Sequence, residues 1–345
     1  MRRLAPLLWV AALAACDERG KSPAIDAPPG GIDAPIDGSG SIDAPPDAAI
    51  DALIDAPMPS TTHHRYVMDS LLVPMNNTQA RDYGLDLNGD GTVDNQLGMV
   101  MATMSSQGFE LQTATTLQVD RGQILELFDL GAASYTTEPN ATFAAYVGAT
   151  PLPAPCNSPN DPTCRRHLAG TGTFTIAPGS PINPALTGSI VAGSMTTAAG
   201  HLVAPITLFT QAGMPLYITL VGARVQVAMA SDARIMQLKL TGGITQTDID
   251  TKLIPAMREG IEAQVMRDCT MLGSPPNCGC MQSSTGASML GLFDTAPKNC
   301  SVSVQEVRDN SLIQSLLAPD VMLEGQMCLS YGVRATAVAA GFVAP

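Results

Sequence analysis

The chain has 345 residues, with 31 Asp and Glu against 18 Lys and Arg, for a formal net charge of −13. That balance disfavours nucleic acid and anionic lipid headgroups as partners, and it suits solubility and cation binding. Apolar residues make up 45% and aromatics 4%, so a core must be built mainly from aliphatic side chains, and the length beyond residue 62 fits one large domain or two small ones.

Met1, Arg2 and Arg3 open the chain. Leu4 to Ala15 is an apolar run too short to cross a bilayer, and Leu13-Ala14-Ala15-Cys16 sets small residues before a cysteine. The pattern resembles a bacterial lipobox. It implies that residues 1–15 are a signal peptide and that Cys16 is diacylated, holding the protein on a membrane through buried methylenes worth about 0.8 kcal/mol each. The other reading is an ordinary secretory signal with an incidental cysteine. Asp17 resembles an inner-membrane retention signal. Within the cell envelope the outer membrane or cell surface is favoured, and the inner membrane stays open. Residues 16–62 then form a tether, in which Ile-Asp-Ala-Pro recurs at Ile25, Ile32, Ile42 and Ile54. Proline fixes φ, the Asp residues repel one another and little apolar surface offsets chain entropy, so an acidic polyproline-II-like spacer is expected.

The globular part, residues 63–345, begins with a strand over Tyr66 to Val73 and a short helix over Thr78 to Tyr83. Gly84 to Asn95 is a loop. Gln96 to Ser106 has helical spacing, with Leu97, Val100, Met101 and Met104 on one face. Phe109 to Val119 alternates and is assigned a strand, with a short helix as its competitor, and Gln123 to Leu130 is a buried strand. Further strands are expected over Thr142 to Val147, Gly172 to Ile176, Ser189 to Thr196, Leu202 to Phe209, Leu216 to Met229 and Arg234 to Leu240. From Thr247 the period changes. Ile249, Leu253, Met257, Ile261 and Val265 make one helical stripe, and Pro255 marks a kink or a true first turn. A helix over Val304 to Leu317 and a strand over Cys328 to Val343 close the chain. The fold class is α+β, predominantly β: an antiparallel sheet, sandwich or open barrel with two or three packed helices.

The strongest chemical motif is the loop at 84–98. Asp86, Asn88, Asp90, Thr92 and Asp94 fall on positions 1, 3, 5, 7 and 9 of an EF-hand loop, with Gly91 at position 6. Calcium takes six to eight oxygens, and only a tightly coiled loop aims alternate residues at one point. Thr92 would offer its carbonyl, and Val93 sits where such loops place an apolar residue toward the core. Position 12, normally a bidentate Glu, is Leu97. Calcium is therefore expected as a weak, structural cofactor, completed by water or a distant carboxylate, with a metal-free surface turn as the alternative. A second loop offers Asp294, Asn299, Ser301, Ser303 and Glu306 if one residue is inserted, with Val302 as its apolar residue. Lys298 and the missing central glycine argue against it. Leu323-Glu324-Gly325-Gln326 echoes Leu87-Asn88-Gly89-Asp90 without the acids and is assigned no role.

Seven cysteines follow Cys16, and export favours disulfides over zinc. Cys156 pairs with Cys164 across a proline-rich loop. Cys278 and Cys280, too close for an easy mutual bridge, staple to different partners among Cys269, Cys300 and Cys328, and Cys328 is the odd thiol. The rival is zinc on Cys278 and Cys280. Taken together, the signal, the tether and the two loops resemble exported Gram-negative lipoproteins with acidic Asp-Ala-Pro tethers and an EF-hand- or dockerin-like calcium loop. The resemblance implies no reaction.

The catalytic fingerprints of nucleophile elbow, P-loop, zinc protease and dinucleotide site are missing. His63 and His64 adjoin the tether and are expected in solvent. His167 and His201 have no partner at catalytic or metal spacing along the chain. The expected role is structural or interactive, at a membrane through the lipid anchor, with an envelope or extracellular protein or ligand as partner. Two readings stay open. One is a carrier of apolar ligands, for which Met99, Met101 and Met104 are candidates. The other is an exported hydrolase whose residues converge from distant segments.

Overall fold

The computed structural model describes residues 62–345 apart from 107–109, 159–160, 162, 208–214 and 270–272. The signal peptide, Cys16 and the tether lie outside the described residues.

Runs of β-branched and aliphatic residues punctuated by Gly and Pro become eleven strands of one sheet. They are β1 (His63–Leu72), β2 (Glu126–Gly131), β3 (Thr137–Leu152), β4 (Gly172–Ile176), β5 (Leu186–Val191), β6 (Ser194–Thr197), β7 (Gly200–Ile206), β8 (Leu216–Ala230), β9 (Arg234–Thr245), β10 (Val321–Leu323) and β11 (Gln326–Gly341). Antiparallel pairing runs β1-β2-β3-β5-β6-β8-β9-β11, and β11 returns to β1. Of the arrangements compatible with the sequence, the sheet adopts the barrel, and its ring is closed. Closure leaves no bare edge in the ring. Outside it, β7 extends β8, β4 lies against β3 and the end of β11, and β10 forms a hairpin with β11.

Register shows how the interior is filled. Leu71 faces Ala335, which faces Leu238, then Val227, Met195 and Ile190 around the ring. Tyr66 faces Phe128, and Leu130 faces Phe143. All are buried, so large side chains occupy the middle of the barrel.

Helices α1 (Asn77–Tyr83) and α2 (Gln96–Ser106) pack on β11, and α3 (Leu111–Asp120) packs on β1. Helix α3 corrects the strand expected over Phe109 to Val119. Thr113, Thr115 and Thr116 imitate a strand, but Thr115, Gln118 and Val119 share the buried face at helical spacing. Gln112 accepts from the Val73 amide and donates to the Leu71 carbonyl, finishing the end of β1. The single strand expected over Ser189 to Thr196 is a hairpin. Ala192 and Gly193 both take positive φ, 49° and 80°, as a two-residue turn requires.

After β9, Thr245 caps the turn α4 (Gln246–Asp248), a π-helical turn spans Ile249–Leu253, and α5 covers Ile254–Asp268. Pro255 sits in the first turn of α5, where its missing N–H is harmless, and the Ile254 amide reaches back to Ile249 in the wider π pattern. Helices α6 (Thr285–Phe293), α7 (Val304–Asp309) and α8 (Ser311–Leu316) follow. The one helix expected over Val304 to Leu317 is broken at Asn310, whose side chain caps α8 and donates to the Leu292 carbonyl. The α5 stripe Met257, Ile261 and Val265 is buried with Leu290, Phe293, Val302 and Val307 in the continuous core.

Three disulfides staple the loops: Cys156–Cys164, Cys269–Cys280 and Cys278–Cys300. Cys278 and Cys280 take different partners, and Cys328 is a buried free thiol. The disulfides use both cysteines on which the rival zinc reading rested.

Candidate metal loop

Helix α1 starts because Asn76 accepts from the Gln79 amide, and it ends at Gly84. Helix α2 begins at Gln96. The oxygen-rich segment therefore lies between two helices, the layout of an EF-hand. Its ends are closed by a bridge between Leu85 and Asp94, with the Asp94 amide 3.0 Å from the Leu85 carbonyl.

Within the loop each acidic side chain organises the backbone. Asp86 accepts from the amides of Gly89 (2.6 Å) and Gly91 (2.9 Å). Asn88 accepts from the Asp90 amide at 3.0 Å, Asp90 from the Thr92 amide at 2.7 Å, and Asp94 from the Leu87 amide at 2.8 Å. Gly89 and Gly91 hold φ of 83° and 85°, which the coil requires and which glycine adopts without strain. Four of the sequence-selected residues, Asp86, Asn88, Asp90 and Asp94, thus line one coil, and Thr92 continues it.

Asp90 is held below the ordinary carboxylate range by the Thr92 amide and by the Asn88 side chain. Asp94 moves the other way. Burial raises it first, the Leu87 amide opposes, and the carboxylates of Asp90, Asp320 and Asp86 raise it further. Like charges gathered round a buried carboxyl favour a cation there. The donor set is all oxygen, which suits a hard divalent cation. Leu97, at position 12, is fully buried in the core and supplies nothing. Among the described residues no three His, Cys, Asp or Glu side chains converge at metal-binding spacing.

The loop is sewn to the barrel just past its acidic stretch. Asn95 is buried, donates to the carbonyls of Ala80 (2.8 Å) and Gly332 (2.9 Å), and accepts from the Gly98 amide at 3.0 Å. The Gln96 amide donates to Ser330 Oγ at 2.7 Å, and Ser330 is bonded through its amide to Asp320 at 2.7 Å. Asp320, from outside the loop, adds its charge to those that raise Asp94, while its own oxygens accept from the Ser330 amide and hydroxyl, and no sequence spacing announced it. Val93 corrects an expectation: it is 44% exposed. Leu87 takes the apolar role instead, packed with Val221, Val321, Leu323 and Cys328.

The second loop also joins two helices, α6 and α7. Asp294 accepts from the Asn299 and Cys300 amides, each at 3.0 Å, and Asn299 accepts from the Ser301 amide at 3.0 Å. Ser303 and Glu306 form a capping box at the start of α7 instead. Glu306 Oε2 takes the Ser303 amide and Oε1 the Thr295 amide, both at 2.8 Å. Burial raises the Glu306 carboxyl, but these donors carry it below its ordinary range. Asp294, Asn299 and Ser301 therefore share one turn, while Ser303 and Glu306 serve the helix cap. Val302 is buried as expected.

His63 and His201 are exposed and His167 is buried, in line with their sequence reading, while His64 is half-buried where solvent was expected. His63 Nδ1 lies 2.9 Å from Asp129, and His64 sits between Asp232 (3.1 Å) and the Ala132 carbonyl (3.0 Å), with its ring 4.6 Å from that of Tyr135. His201 Nε2 is 3.0 Å from Glu324, which occupies the β10–β11 turn and also accepts from the Gly222 amide. Leu323-Glu324-Gly325-Gln326, assigned no role from sequence, thus makes a turn that holds β7. The partners of these three rings are carboxylates and one backbone carbonyl. His167 is fully buried, edge-on to Phe174, and burial together with Arg165 pushes it down to about 4, so it stays neutral. Met101 is core, and Met99 and Met104 are half-buried.

Comparison with family models, with curated proteins and with solved structures gives no significant match.

Proposed function

We propose that residues 63–345 form a calcium-stabilised, disulfide-bonded structural or interaction module of the cell envelope, carried on a lipid at Cys16 and an acidic tether. The observation that carries the reading is the Asp86–Asp94 coil, an all-oxygen loop set between two helices and fixed to the barrel wall by Asn95. Asp86, Asn88, Asp90 and Asp94 would hold the ion by side chains and Thr92 by its carbonyl. The bound ion would offset the charge of Asp90 and Asp86 that bears on Asp94. Leu97 leaves the coordination short, so affinity belongs in the weak extracellular range of about 10⁻⁴–10⁻³ M. Three disulfides support an oxidising location. The interior filled by Tyr66, Phe128, Phe143 and Met195 speaks for a structural body over a carrier of apolar ligands.

Isothermal titration of the purified chain with calcium chloride tests the reading. One weak site is expected in the wild type and none in Asp90→Ala. A wild type without heat of binding, or an Asp90→Ala variant that binds equally well, overturns it. Mass spectrometry of the exported protein tests the anchor, with diacylated Cys16 as the expected N-terminus and an unacylated, uncleaved chain as the contrary result.

A further inference from the structure

Glu126 opens β2 and alternates with Phe128 and Leu130, so its side chain points into the barrel with theirs. It is fully buried, and neither carboxyl oxygen has a hydrogen-bond partner among the described residues. Its register partner is Val147. The titratable groups that face it are two phenols, Tyr217 on β8 and Tyr331 on β11. Tyr331 donates to the Pro205 carbonyl at 2.8 Å and so does not serve the carboxyl. No Arg, Lys or His among the described residues pairs with it.

An ionised carboxylate so placed has lost its hydration without compensation, an arrangement that a folded chain avoids by keeping the proton. Burial accordingly raises Glu126 well above the ordinary carboxylate range. The adjoining residue, Leu125, is held from two sides: its carbonyl also accepts from the Gly148 amide at 2.8 Å. Leu125 is pinned to Tyr217 by two hydrogen bonds, its amide donating to Tyr217 Oη at 3.0 Å and its carbonyl accepting from that hydroxyl at 3.1 Å. This clasp crosses from β8 to the start of β2, one residue from the carboxyl.

We propose that Glu126 is a proton-held latch: with its proton the barrel closes over it, and when the proton leaves to solvent the Tyr217–Leu125 clasp opens and water reaches the carboxylate. The domain is then a body that tightens in acid and loosens at its β2–β8 mouth in alkali. No cofactor or second reactant is involved, since the proton passes to water or hydroxide.

Hydrogen exchange of the Leu125 amide in the full chain tests the latch. After the intrinsic exchange rate is divided out, the opening constant in the wild type should rise by about tenfold per pH unit above the ordinary glutamate range. In Glu126→Gln it should stay flat. Tyr217→Phe should open more at every pH and keep the wild-type slope. The infrared difference between wild type and Glu126→Gln at pH 7 should contain the carbonyl band of a protonated carboxyl, a readout that needs no opening. Equal pH slopes in wild type and Glu126→Gln, or no such band, overturns the proposal.

Discussion

Asn95 is the side chain on which the position of the candidate loop depends most, and Asn95→Ala is the sharpest perturbation of it. The substitution strands the carbonyls of Ala80 and Gly332 and the amide of Gly98 in a buried place. Each buried group left alone costs about 1–3 kcal/mol, and partial relaxation brings the total to about 3–5 kcal/mol. At about 2–3 °C per kcal/mol for a domain of this size, Tm falls by about 6–15 °C. Asn95→Asp keeps the acceptor for Gly98 but loses both donors, and its loss is of similar size. Differential scanning calorimetry reads both. A fall below about 2 °C in both variants would show that Asn95 does not tie helix and loop to β11, and the account of how the loop is positioned would go with it.

Other consequences follow from the same arrangement. Cys328 is buried and its thiol is raised by burial and by the carboxylates of Glu324 and Asp320, so among the cysteines of residues 63–345 a thiol reagent should find nothing in the native chain and one group after unfolding. Breaking Cys278–Cys300 with the double substitution Cys278→Ser and Cys300→Ser opens a closure of 22 residues and should lower stability by about 3 kcal/mol in a denaturant titration. Unchanged midpoints would place that bridge outside the cooperative core. His167, pushed down to about 4, binds a proton in the unfolded chain near 6.5 and not in the folded one. Its contribution is complete above pH 6.5 and drains away as pH falls toward 4. His167→Gln should flatten the wild-type loss over that window, and an unchanged acid limb would show that the ring is not held neutral.

The elements most legible in the sequence were those whose period was long and clean. Gln96–Ser106 and Gly172–Ile176 match their expected bounds, and the four-residue stripe from Ile249 to Val265 marks the helix on which α6 and α7 pack. The failures have local causes. Threonines at alternate positions made α3 look like a strand, and the barrel decided otherwise by burying Val119 and using Gln112 at the end of β1. Ala192-Gly193 is a weaker turn signal than Asn-Gly, so a hairpin read as one strand. Asn310 is a helix breaker only because its side chain caps α8 and reaches Leu292. The acidic coil was legible because its spacing is the chemistry. Asp320, Asn95 and Glu126 were not, because their meaning depends on residues that the fold brings close: Gly332 and Tyr217 lie more than eighty positions from Asn95 and Glu126, and Ser330 meets Asp320 across the β10–β11 hairpin.

The most direct measurement is the melting of the full chain in 10 mM calcium and again in chelator. At the expected affinity the ion stabilises by about 1.4–2.7 kcal/mol, so Tm should be higher with calcium by about 3–8 °C, and Asp90→Ala should abolish the difference. Identical midpoints for the wild type in the two solutions would contradict the account.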